Sequence, residues 1–162
     1  MPTNCLSSIK ENSPKRLVID VRQNRGGDFT RVRGRLLPGL KQNSWLLKPG
    51  ALFIITGRAT QSAAVVNTID FRKEMKALVV GEPTGGRPNG YSEDSEFKLP
   101  NSHFVVRYST RYYKFQDQDA PAVMPDKLIE PDWQSYQSGT RPGHGMDSGA
   151  TVAEISARNK SQ

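Results

Sequence analysis

The stretch PGALFIITGRATQSAAVVNTIDFRKEMKALVVG, residues 49–81, decides the fold. A Pro-Gly turn opens it, and the β-branched run through residue 57 is too short for a helix. It therefore predicts a buried strand. A helical pattern follows over roughly 62–76. Ala64, Thr68, Phe71 and Met75 recur at helical spacing and mark one face, which Val65 and Ile69 widen. Arg72, Lys73 and Lys76 sit at the C-terminal end, where the helix dipole favours cations. ALVVG (77–81) predicts another buried strand. Strand, helix and strand within about 30 residues make a βαβ unit, which implies a parallel sheet.

Working outward, RLVIDV (16–21) predicts an earlier strand of the same kind. RQNRGGDFT (22–30) reads as a loop with paired glycines. The following pattern, 29–43, is helical but contains Gly34 and Pro38. Proline removes a donor and clashes with the preceding turn, so a broken helix is expected. EPTGGRPNGYSED (82–94) reads as a long turn-rich loop, without the spacing of a phosphate-binding loop. In 95–115, Phe104, Val106 and Tyr108 predict one side of a strand. Residues 1–136 are expected to hold the folded domain and 137–162 a Gly/Pro/Ser-rich tail. TVAEISARN (151–159) is a possible short helix in that tail.

The 162 residues fit one domain or a large piece of one. Hydrophobic content is 35%, lean for a self-sufficient core and also compatible with a fragment. The net charge of +7 comes from residues 10–48, which hold 10 Lys/Arg against 3 Asp/Glu. A nucleic-acid partner is disfavoured, because that stretch has no interleaved aromatics or known binding motif. The single cysteine, Cys5, excludes an internal disulfide and a Cys-based metal site. No cofactor or metal is expected. No run reaches the ~18 apolar residues of a membrane span, and no signal peptide is visible.

Ser62 raises the main chemical question. Ser and Thr favour helix N-caps, and Thr60 and Ser62 both precede the helix. The same position suits a nucleophile, with its Oγ exposed above the sheet edge at a tight strand-to-helix turn. The Ala63 N–H is then unpaired and can stabilise an oxyanion, an effect worth ~2.7–4 kcal/mol per donor. Gly26 and Gly27 follow a strand, where glycine permits positive φ and close backbone approach. They are an ordinary turn or the source of a second donor at the edge where α/β folds bind ligands.

LVIDVRQNRGG, LFIITGRATQSAA, ALVVGEPTGGRPNGYSE and FKLPNSHFVVRYSTRYY occur in that order. Together they resemble the catalytic domain of the tail-specific, or C-terminal processing, serine peptidases, a group that includes the tricorn core. The resemblance covers roughly residues 5–136. It implies a partial α/β domain of the Clp-protease/crotonase-like type, built of stacked ββα units. It also implies that Ser62 is the nucleophile, with Ala63 and a glycine of the Gly26–Gly27 pair at the oxyanion hole. The expected partner is a peptide or protein substrate.

The family pattern places a lysine base 25 residues after the serine, where this chain has Arg87. Arginine stays protonated and cannot accept the serine's proton. Arg87 is instead a candidate for binding a substrate carboxylate. The tricorn-like branch uses a histidine from the N-terminal half of the domain, so the base is expected from a missing segment or another chain. His103, His144, Asp117 and Asp119 are weaker candidates within this chain. The resemblance fits a bacterial protein, exported or cytoplasmic. Non-catalytic ligand carriers share the fold and are the rival expectation.

Overall fold

The computed structural model describes residues 2–12, 14–130, 132–138 and 151–153. Helix α1 (Pro2–Asn12) precedes strand β1 (Leu17–Asp20). A helical crossover follows as α2 (Phe29–Arg31), a π-helical turn Val32–Leu36 and α3 (Leu37–Lys41). Strand β2 (Leu52–Thr56), helix α4 (Ala63–Met75) and strand β3 (Leu78–Gly81) form the second crossover. Strands β4 (Asn89–Lys98) and β5 (Val105–Lys114) form a hairpin. Then come β6 (Lys127–Leu128), α5 (Trp133–Gln137) and β7 (Thr151–Ala153).

The main sheet runs β6-β3-β2-β1-β7, with all neighbours parallel. Leu17, Ile19, Leu52, Ile54 and Val79 are buried in the core. Val18, Phe53 and Ile55 on the other face are half-buried, so these strands read as unbroken apolar runs. The crossover helices lie side by side. Arg33 reaches Asp70, and Lys41 pairs with Glu74. Helix α4 is buried almost all round. Ala64, Phe71 and Met75 join the sheet core, while Val65 and Ile69 pack on Val123 and Phe115. Segment 115–126 is tied across the helix by Lys73 Nζ donating to the Phe115 carbonyl (2.9 Å) and Arg72 to that of Met124 (2.7 Å).

Four expectations change. Residues 29–41 continue as helix through Gly34 and Pro38, because the π turn lets Pro38 enter the first turn of α3, where its missing N–H costs little. The predicted loop 82–94 ends in strand, since β4 begins at Asn89. The predicted strand 95–115 is instead the end of β4, a turn and β5. In the tail, residues 151–153 form strand β7 beside β1 rather than helix, and 154–159 lie outside the described residues.

Candidate active site

Strands β1, β2 and β3 are parallel, so the loops leaving them gather at one sheet edge. Thr60 joins these loops. It is fully buried, its Oγ1 donates to the Val21 carbonyl (2.8 Å), and it accepts from the Gly57 N–H (3.0 Å). Its own carbonyl accepts from the Gly85 and Gly86 N–H groups at 3.0 and 3.1 Å. A β-carbon on Gly85 would lie 1.9 Å from the Arg58 carbonyl oxygen. The Gly-rich loop is therefore built for close backbone packing beneath the serine turn.

Ser62 occupies that turn with φ 51° and ψ −122°, and its side chain makes no capping bond. The cap alternative is thus not realised. Ser62 is exposed, and among the described residues its hydroxyl has no hydrogen-bond partner. The Ser62 carbonyl starts the helix by accepting from Val65 (2.9 Å) and Val66 (3.3 Å). The Ala63 N–H finds no acceptor among the described residues, as expected of a first-turn amide.

The Gly26–Gly27 corner lies against this serine. Gly26 has φ +128°, and a β-carbon there would sit 2.7 Å from the Ser62 β-carbon and 3.2 Å from its Oγ. Only glycine permits that approach. The two glycines differ in hydrogen bonding. The Gly26 N–H donates to Asn24 Oδ1 (3.0 Å), whereas the Gly27 N–H has no acceptor among the described residues. Asn24 also ties the two corners together, its carbonyl accepting from the Gln61 N–H (3.1 Å).

Ser62, Ala63, Gly27 and Arg87 line one open cleft of about 860 Å³. Phe29, Val66, Tyr113 and Phe115 add apolar walls, and Asp28, Glu93 and Asp119 add carboxylates. Asp28 accepts from the Thr30 hydroxyl and N–H, bonds that hold its carboxyl below the usual range. The Tyr113 hydroxyl donates to Glu93, which raises the phenol above its ordinary value. Among the described lining residues Arg87 is the one cation, 4.0 Å from Asp119. His103 is exposed in the β4–β5 turn, away from the cleft lining. Asp117 is exposed and does not line the cleft. His144 lies outside the described residues.

From the sequence alone Thr60 reads only as a possible cap, and Asn24 and the aromatic wall carry no assigned role. Asn24 carries a usable signal: an Asn two residues before a Gly makes an Asx turn.

A candidate peptidase from Parabacteroides merdae superimposes with a TM-score of 0.62 at 18% identity, over 86% of this chain and 53% of that one. A candidate S41 protease from Bacteroides fragilis gives 0.54 at 16% identity, over 88% of this chain and 44% of that one. The photosystem II D1 C-terminal processing protease gives 0.51 at 18% identity, over 78% and 38%. The fold is that of S41 peptidases. The chain spans about half the length, or less, of these structures. No protein-family model and no curated protein matches it. Among the described residues, no helix is long and apolar enough to cross a membrane.

Proposed function

We propose that this chain is the C-terminal part of a serine peptidase catalytic domain of the tail-specific type, comprising residues 1–136 followed by a tail. Ser62 Oγ attacks the peptide carbonyl carbon and passes its proton to a base. The C–N bond then breaks, the amine leaves with that proton, and water hydrolyses the acyl-serine ester. The Ala63 and Gly27 amides hold the oxyanion. Gly26 contributes by its lack of a side chain rather than by its amide.

The observation that carries this reading is the backbone of Ser62. A non-glycine residue at φ 51° and ψ −122° is strained, and strain of this kind concentrates at functional sites. A mere helix cap would have its oxygen on the helix.

Serine needs a base, and Arg87 cannot be one. The base comes from a segment or chain beyond this one, and this chain alone is expected to turn over peptides slowly or not at all. Arg87 at the expected base position favours the second reading, a ligand carrier on the same fold.

A fluorophosphonate probe separates them on the longest form of the protein that carries this sequence. Labelling of the wild type that disappears in Ser62→Ala supports the peptidase. A wild type that stays unlabelled supports the carrier.

A further inference from the structure

Phe29, Tyr113 and Phe115 form an aromatic corner on the cleft that holds Ser62. Phe29 meets Phe115 edge-on with centroids 5.5 Å apart and Tyr113 edge-on at 6.2 Å. Tyr113 and Phe115 stack at 5.5 Å. All three are half-buried, so the corner is open to the cleft rather than closed as a core cluster is.

The corner is held from behind. The Arg33 guanidinium lies 5.1 Å from the Phe29 centroid and 5.9 Å from that of Phe115. Its Nη2 and Nε donate to the buried Asp70 carboxylate at 2.8 and 3.0 Å. The carboxylate pairs with the guanidinium and orients its plane beside the rings. Glu93 is likewise engaged, accepting from Tyr113 and lying 3.6 Å from Arg111. The Arg111 guanidinium also lies 4.9 Å from the Tyr113 centroid, and the corner gives the cleft half-buried aromatic surface with these nearby charges paired.

We infer that this aromatic corner is the side-chain specificity pocket of the Ser62 site, and that it selects a large, flat, uncharged residue next to the bond to be cut. The inference rests on the peptidase reading for its purpose but not for its measurement. Filling such a pocket with a benzyl rather than a methyl group strengthens binding at least about tenfold.

The test is equilibrium binding, by titration calorimetry, of two acetylated and amidated tetrapeptides to the full chain. They are Ala-Ala-Phe-Ala and Ala-Ala-Ala-Ala. The wild type and Ser62→Ala are expected to bind the Phe peptide about tenfold tighter or more. Phe29→Ala is expected to lose most of that preference, and Phe29→Tyr to keep it. Should circular dichroism show Phe29→Ala unfolded, Phe29→Leu and Tyr113→Leu serve the same comparison. Equal affinities for the wild type, including no binding of either peptide, overturn the pocket. So does a preference that survives the ring-removing variants. A preference for the Phe peptide together with no fluorophosphonate labelling of the longest form keeps the pocket and loses the peptidase.

Discussion

At Ser62 the β-carbon crowds the backbone, because φ 51° with ψ −122° suits glycine and not an L-residue. Strain of this kind costs on the order of 1–3 kcal/mol. Ser62→Gly removes it but adds freedom to the unfolded chain, which offsets about 0.5–1 kcal/mol. Ser62→Ala keeps the strain and loses the hydroxyl. The glycine variant should therefore be more stable than the alanine variant by about 1 kcal/mol, or about 2–4 °C in melting temperature for a domain of this size. Thermal denaturation of both variants checks this, and a glycine variant no more stable than the alanine one means an unstrained turn. The dihedral was not legible in the sequence, since a cap and a nucleophile call for the same residue at the same turn. What TGRATQSAA and the paired glycines did make legible was the meeting of two corners, because parallel strands send their following loops to one edge.

Among the elements, the edge that carries the site is pinned by Thr60. Thr60→Val keeps the shape but leaves the Gly57 N–H without its buried partner, while the Val21 carbonyl keeps only the Asn24 N–H. The expected loss is about 1–3 kcal/mol, the cost of one unsatisfied buried group. Thr60→Ser keeps both bonds and should lose clearly less. Urea denaturation reads the difference. If the valine variant matches the serine variant, the hydroxyl does not hold the loops. The βαβ core was legible because LFIIT is apolar almost throughout, with Leu52 and Ile54 buried and Phe53 and Ile55 on the other face half-buried. The hairpin was not. Most of β4 is exposed, so NGYSED satisfies turn chemistry as readily as strand pairing. The π turn was also hidden, because no residue type demands that register.

For the whole molecule, the division is between a packed parallel sheet and a projecting ribbon. Tyr91 and Tyr112 pair at 5.1 Å and Phe97 and Tyr108 at 6.1 Å, yet each ring is about half exposed or more. On the other face Arg107 pairs with Glu96, again in solvent. Exposed pairs of this kind contribute at most about 1 kcal/mol each, and a two-stranded ribbon is marginal without a covering layer. Asn89 fastens the ribbon base: its Oδ1 accepts from the Phe115 and Gln116 N–H groups at 2.9 and 3.0 Å. Protection from amide exchange should therefore fall in a set order. Strands β1 to β3 and helix α4 exchange last, as only global opening exposes them. The ribbon base beside Asn89 comes next, and the outer pairs from Ser95 to Tyr108 exchange first. Hydrogen exchange followed by mass spectrometry checks the order at two protein concentrations. Outer-ribbon amides as slow as β2 would overturn this order. If that protection fades on dilution, a second copy of the chain covers the ribbon; if it persists, the ribbon is stable by itself.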